Sequence, residues 1–396
     1  MEFHAELIAL GALFVVGLIA DAVGRHTLLP RVTLLILVGV LVGPAGFDLL
    51  PARMHDWFAF LASVALVMVA FLLGGSLSRT QLQDHGRKIV IVSIAVVVVT
   101  VAVVGGGLLA LGVAPILALL LSSIATATAP AATLDVIKES GEKGEFAQTL
   151  KGIVAIDDAW GLIVFSLILA LADAWAGNGF PSMWLNGLRE LLGAIAVGVA
   201  VGLPAAFLSG RLRSGEPMQI EALAIVFLCG GLSIWLNVSY LLAGIVAGMV
   251  VVNFAQHHTR PFHEIESIEQ PFMILFFVLA GASLHADHWV DLSFIVGVCI
   301  VLRILSRLAG GWLGGKLSHA PPYFGRWIGI ALMPQAGVAI GMALVAGNHF
   351  PDLREKILTI TIMTTIVFEI FGPLATRVTL REVAKHQNNH PKGGAT

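Results

Sequence analysis

Thr126-Ala-Thr-Ala-Pro130 and Met333-Pro334-Gln335-Ala336-Gly337 interrupt two otherwise apolar stretches, residues 114–136 and 323–347, and their reading decides the fold. A single Pro in a membrane helix is commonly a kink that its neighbours accommodate. Two polar, Pro-containing breaks at corresponding places in two halves of a chain are a stronger signal, because discontinuous helices expose unwound backbone to a site. Thr126, Pro130, Pro334 and Gln335 are therefore expected where two broken helices cross near the middle of a bilayer.

The chain around these breaks is built for lipid. It has 396 residues, of which 57% are hydrophobic and 12% charged, and its mean hydropathy is +0.91. Apolar stretches of about twenty residues, enough to cross roughly 30 Å of hydrocarbon, recur from end to end. Thirteen spans are expected, at residues 5–23, 31–49, 57–78, 88–112, 114–136, 149–173, 185–209, 218–235, 239–255, 271–285, 290–315, 323–347 and 356–380. The interrupted spans are the fifth and the twelfth. An offset of seven makes them run in opposite directions, as inverted repeats require, with spans 1–6 and 8–13 as the repeats and the seventh as connector. The fold class expected is an all-α integral membrane protein of about 13 transmembrane helices, in two inverted six-helix repeats with crossed broken helices.

Loop charge orients the chain. With the N-terminus outside and the C-terminus inside, only Arg53, Arg189, Arg354 and Lys356 of the 23 Lys and Arg fall in outer loops, which is the positive-inside pattern of a multi-pass cytoplasmic (inner) membrane protein. The first stretch lacks a basic leader region and follows Glu2, His4 and Glu6, so it is expected to be a retained helix.

Several classes are excluded. A net charge of -2 with scattered Lys and Arg offers no nucleic-acid surface. Cys229 and Cys299 fall inside spans without a C-x-x-C partner and read as small buried hydrophobes. The chain has no Walker A loop, nucleophile elbow or zinc-ligand spacing, so no nucleotide-binding domain, cofactor or enzymatic activity is expected. Active transport would draw on an ion gradient.

Ile153-Val-Ala-Ile-Asp157-Asp158-Ala-Trp-Gly161 lies a third of the way into the sixth span. A carboxylate at membrane depth costs about 2.5–3.5 kcal/mol on insertion scales, so an adjacent pair is expected only beside a cavity or partners. Neighbouring helical positions differ by about 100°, so one aspartate can face a water-filled path while the other faces protein. Arg303 and Arg307 of the eleventh span share a helix face, and either could pair with an aspartate. The doubled small-residue pattern Gly310, Gly311, Gly314, Gly315 admits another backbone closely, which favours Arg307 as the arginine packed into the helical core. Arg303 is expected to snorkel or hold a structural contact.

Glu369, in the thirteenth span, reads as a structural ion pair or polar anchor. Glu6, Asp21, Asp135, Asp173, Glu190 and Glu221 lie near span ends, where solvated or interfacial roles are expected. His257, His258 and His263 read as a solvated cytoplasmic loop.

Together these residues resemble the monovalent cation/proton antiporter-2 family, especially its bacterial Na+/H+ antiporters with a two-aspartate motif. The resemblance covers nearly the whole chain. It rests on Leu35-Ile-Leu-Val-Gly39-Val-Leu-Val-Gly43-Pro44, Phe71-Leu-Leu-Gly-Gly-Ser-Leu77, the broken fifth span, Ile156-Asp157-Asp158, Phe276-Phe277 to Gly281, Ser306-Arg307 to Gly311, and Phe368-Glu369 to Pro373. It implies a homodimer in the lipid bilayer. Residues 1–82 and 216–288 would form the dimerisation bundle, 83–176 and 289–380 the moving core, 183–211 a linker helix, and 381–396 a cytoplasmic tail. It also implies that Asp158 is the shared cation and proton site, that Asp157 pairs with Arg307, and that Thr128 and the Ala129 carbonyl assist the cation. One departure matters: two-aspartate relatives usually carry Lys where this chain has Arg307.

The function expected is exchange of Na+ or Li+ for H+ by alternating access, with competition at Asp158, in pH homeostasis. Arg is effectively never deprotonated, so Asp157 is expected to stay ionised and the exchange to be one-for-one. The alternatives are K+/H+ exchange or gated K+ efflux and, from another class, a transport-inactive sensor or scaffold subunit.

Overall fold

Each predicted span coincides with one helix, except the fifth and the twelfth, which are two helices each. The computed structural model describes residues 4–26, 31–78, 86–142, 144–178, 180–209, 219–255, 259–283, 289–335 and 337–389. Among these there are fifteen α-helices and no strand. The first repeat holds α1 (His4–His26), α2 (Arg31–Val42), α3 (Ala52–Gly75), α4 (Gly86–Ala110), α5 (Pro115–Ile124), α6 (Pro130–Ser140) and α7 (Glu145–Asn178). The connector is α8 (Phe180–Ser209). The second repeat holds α9 (Gln219–Trp235), α10 (Tyr240–Phe254), α11 (Thr259–Ala282), α12 (Trp289–Leu317), α13 (Pro322–Ala331), α14 (Gly337–His349) and α15 (Arg354–Asn389).

Proline chemistry makes the breaks. Pro115, Pro130 and Pro322 open α5, α6 and α13, at a position where the missing N–H costs nothing. Ala129, ahead of Pro130, is pushed out of the helical region to φ -117 and ψ 88, the restriction proline imposes on its predecessor. The last turn of α5 closes on itself, with the Thr126 hydroxyl donating to the Ser123 carbonyl at 2.6 Å. In the second repeat, α13 ends at Leu332 and Met333, and Pro334 cannot extend it.

Helix pairs follow the two-fold logic of the repeats. Span 2 packs on span 10 and span 3 on span 9, as α2 with α11 and α3 with α10, and exchanging the repeats converts each pair into the other. Both use reciprocal glycines. A Cβ on Gly39 would strike the Val278 carbonyl and one on Gly281 the Ile36 carbonyl; likewise Gly74 meets the Ile245 carbonyl and Gly248 the Phe71 carbonyl. Spans 4 and 11, which the exchange maps onto each other, pack as α4 on α12. The doubled glycine pattern of α12 serves two neighbours at once: Gly310 and Gly314 face Val96 and Val92 of α4, and Gly311 and Gly315 face Gly329 and Gly325 of α13. The connector α8 lies against α7, α9 and α10.

One end-of-span expectation is corrected. Glu6 is buried, at 6% exposure, instead of solvated, because it lies on the one face of the first turn of α1 that packs inward, while His4, Ala5, Leu7 and Ile8 stay exposed. Asp135 and Asp173 are exposed, and Glu190 and Glu221 half-buried, as expected of span ends. His257 and His258, and the side chains of Asp21 and His263, lie outside the described residues.

The α12–α13 contact constrains the second break, since a Cβ on Gly329 would run into the Arg307 carbonyl. Gly329→Val is expected to destabilise the protein by about 1–3 kcal/mol through overpacking. Thermal unfolding in detergent checks this, and an unchanged midpoint would contradict the close approach.

Candidate ion-binding site

Four ionisable side chains meet at the first break, all at 0–1% exposure: Asp157 and Asp158 from α7, Arg303 and Arg307 from α12. The structure brings Arg307 and Asp157 together, with Arg307 Nη1 3.3 Å from Asp157 Oδ2. The other Asp157 oxygen accepts from the Ser93 hydroxyl of α4 at 3.1 Å. Ser93 went unremarked in the sequence, although it is an isolated hydroxyl in the apolar run Ile89–Val99 and so was open to notice.

Both guanidinium groups turn to the unwound backbone. Arg307 Nη2 donates to the carbonyls of Ala125, Thr126 and Ala127. Arg303 Nη2 donates to Ala127 at 2.6 Å, and its Nη1 makes a long 3.5 Å contact with the Met333 carbonyl of the second break. Arg303 also lies over the Phe368 ring of α15, 4.6 Å from its centroid. It holds a structural contact and does not snorkel. The two breaks are thus joined through one side chain. The carbonyl end of α5 carries partial negative charge, which the arginines offset.

Asp158 sits at the opposite pole. Its Oδ1 accepts from the Thr128 backbone N–H at 2.8 Å and from the Thr128 hydroxyl at 3.0 Å, just ahead of the N-terminal, partially positive end of α6. Its Oδ2 is buried with no hydrogen-bond partner among the described residues. The expected water-filled path beside Asp158 is not open here: the carboxylate is closed off at 1% exposure. Gly161, one turn along α7, leaves room for the Thr126 hydroxyl, which a Cβ would meet at 2.8 Å.

The remaining candidate residues divide. The Ala129 carbonyl accepts the first bond of α6, from Thr133 at 3.1 Å. Pro130 opens α6, and Pro334 packs on Gly372 of α15, where a Cβ would come within 2.5 Å of its Cα. Gln335 is buried beside Arg303 and Thr361. Glu369 stands apart from the cluster as a polar anchor: its Oε2 accepts from Thr33 of α2 at 2.6 Å. The Thr376 hydroxyl donates to the Ala331 carbonyl at the buried C-terminal end of α13, 3.0 Å away. No group of three or more His, Cys, Asp or Glu able to hold a metal ion occurs among the described residues.

Paired breaks, reciprocal helix packing and a buried carboxylate with an unshared oxygen define a secondary transporter of the antiporter fold. Residues 10–382 match the family model for the sodium/hydrogen exchanger, transmembrane, and the chain belongs to that family. It is similar to the ammonium/H+ antiporter subunit AmhT of Alkalihalophilus pseudofirmus, at 20% identity over 93% of each chain. It is also similar to a Na+/H+ antiporter of Enterococcus hirae, at 22% identity over 89% of this chain and 96% of that one. The solved structure of the sodium proton antiporter MjNhaP1 from Methanocaldococcus jannaschii shares the fold, with a TM-score of 0.79 at 18% identity, covering 96% of this chain and 99% of that one. The resemblance read from the sequence is borne out, and the chain is a multi-pass membrane protein of an Na+/H+ antiporter family.

Removing one member of a buried pair strands the other charge, at a cost of about 3–5 kcal/mol. Arg307→Met is therefore expected to destabilise the protein strongly. Adding Asp157→Asn to it should recover much of the loss, because the stranded carboxylate is then gone. Thermal midpoints of the two single variants and the double variant complete the cycle; additive losses would show that the pair is not coupled.

Proposed function

We propose that this protein exchanges Na+ for protons by alternating access, with a single cation or a single proton occupying Asp158 in turn. The observation that carries this reading is the environment of Asp158. One carboxylate oxygen is held by Thr128, and the other is buried without a donor, so a proton or a small cation is what completes it. A carboxylate with the Thr128 hydroxyl nearby is a hard oxygen set, suited to Na+ or Li+.

The carbonyls of Ala125, Thr126 and Ala127 already accept from Arg303 and Arg307. They therefore serve the arginines first, and selectivity falls to Asp158, Thr128 and whatever water accompanies the ion. A second substrate, NH4+, is favoured by the AmhT relative, whose name records ammonium/H+ antiport. K+ follows from the wider fold family.

Asp157 stays ionised against Arg307 in this scheme and takes no part in turnover, so one charge enters for each charge that leaves. The bundle of α1–α3 with α9–α11 would form the stationary part and the homodimer interface. The helices α4–α7 with α12–α15 would move in a cytoplasmic membrane, the N-terminus outside and the C-terminus inside.

In proteoliposomes, Asp158→Asn is expected to abolish cation-driven proton flux while leaving the thermal midpoint within a few degrees of the parent; retained exchange would sink the assignment and favour a scaffold or sensor. A panel of Na+, Li+, K+, Rb+ and NH4+ identifies the cargo. With no pH difference, an imposed membrane potential is expected to leave the flux unchanged. A net charge moved would couple it by about 2.3 kcal/mol per 100 mV, and such coupling would refute one-for-one exchange without touching the role of Asp158.

A further inference from the structure

The interior between α4, α5, α12 and α15 holds two cavities stacked along the same helices. The larger, about 710 Å³, has apolar walls that include Leu108, Leu117 and Val298, and a rim carrying Asp352, Glu355 and Lys356, all three exposed. The smaller, about 20 Å³, lies further in along the same helices. Val104 stands below Leu108, Leu121 below Leu117, Cys299 beside Val298, and Ile360 beyond Lys356. Asp158 lines neither cavity.

The floor of the small cavity is polar. Arg303, Gln335 and Thr361 line it, each at 1% exposure, and Arg303 Nε, Gln335 Oε1 and Thr361 Oγ1 are all buried without a hydrogen-bond partner among the described residues. An N–H donor, a carbonyl acceptor and a hydroxyl that can do either are the complement of a water molecule, which needs roughly 10–15 Å³ and two to four polar partners. A cation there would meet the Arg303 guanidinium. An anion would meet the Gln335 carbonyl after passing Asp352 and Glu355.

We propose that this four-helix interior is a second aqueous branch, separate from the Asp158 face, which enters at the large vestibule and ends on Arg303, Gln335 and Thr361 behind the helix crossing. Water arriving by this branch hydrates Arg303 from the side that the transported ion does not use. The arginine that ties the two breaks together then keeps a hydrogen-bond partner when those breaks change shape. Orientation by loop charge puts the vestibule on the outer face.

The chain's two cysteines supply the test. Cys229→Ser leaves Cys299, on the cavity wall, as the sole thiol, and Cys299→Ser leaves Cys229 as the control. The probe is hydroxyethyl methanethiosulfonate, a small neutral reagent that the Arg303 guanidinium does not repel, applied to the full-length protein in liposomes, with buried Cys229 reporting any reaction that arrives through lipid.

Access governs thiol modification, so Cys299 is expected to react at least about tenfold faster than Cys229. Thr361→Cys in a background lacking both native cysteines is expected to react as well, and its modification to slow exchange. Should that variant not fold, Ile360→Cys on the same wall replaces it. An Asp352→Cys rim control that reacts while Cys299 and the wall cysteine stay unmodified would overturn the branch, the vestibule then being filled by lipid or closed. Reaction at Cys299 but not at the wall position would overturn it too, since the water would stop short of Arg303. None of these readouts depends on which ion occupies Asp158.

Discussion

Two guanidinium groups buried against the carbonyl end of a broken helix are the constraint on which the rest of the site depends. A helix that stops in mid-membrane leaves carbonyls that water cannot reach, each an expensive unmet acceptor in hydrocarbon. Arg307 takes three of them and Arg303 takes one of the same set, together with a long contact to the second break. The arginines are themselves costly there, and what makes them tolerable is that every close partner is a carbonyl, a carboxylate or an aromatic face. Asp157 is one of those partners. Its charge is spoken for by Arg307 and Ser93, which leaves Asp158 as the carboxylate of the pair with an oxygen to spare.

That arrangement is possible only because the backbones come so close. Arg307 lies on the same stretch of α12 whose glycines admit α4 on one side and α13 on the other. With larger residues at Gly310, Gly311, Gly314 or Gly315, the α12 axis would stand off from both neighbours, and the guanidinium groups would fall short of the α5 carbonyls. Ser93 reaches Asp157 from α4 for the same reason. Close packing by small residues and buried charge pairing are thus one feature: the glycines set the distance and the arginines exploit it.

Much of this was legible in the sequence because membranes penalise polar residues so heavily that few appear without cause. Asp157, Asp158, Arg303 and Arg307 stood out by depth alone, and the breaks at Pro130 and Pro334 by their polarity and their offset of seven spans. What stayed hidden were choices among partners of equal plausibility. Unwound carbonyls suit a metal cation and a guanidinium alike, and hydropathy does not say that Ala125, Thr126 and Ala127 go to the arginines. Glu369 could have met a cation and instead meets Thr33, because α2 and α15 touch only through the three-dimensional arrangement of the repeats. Glu6 was misjudged because position near a span end says nothing about what packs over it.

The closed environment of Asp158 bears directly on coupling. With both aspartates ionised, their two negative charges balance Arg303 and Arg307, so the unloaded cluster has no net charge to hinder its passage. Net charge therefore cannot be what stops an empty carrier from cycling. On the proposed reading the barrier is local and lies at Oδ2: a carboxylate oxygen buried with no donor among the described residues is costly in low dielectric, and a proton or a bound cation would remove that cost. On the proposed reading the occluded form is favourable only when one of the two is present. Either occupant adds the same single charge, so the protein meets the same electrostatic environment in both directions of travel. Strict exchange then follows from one unsatisfied oxygen, without any moving gate that must tell Na+ from H+.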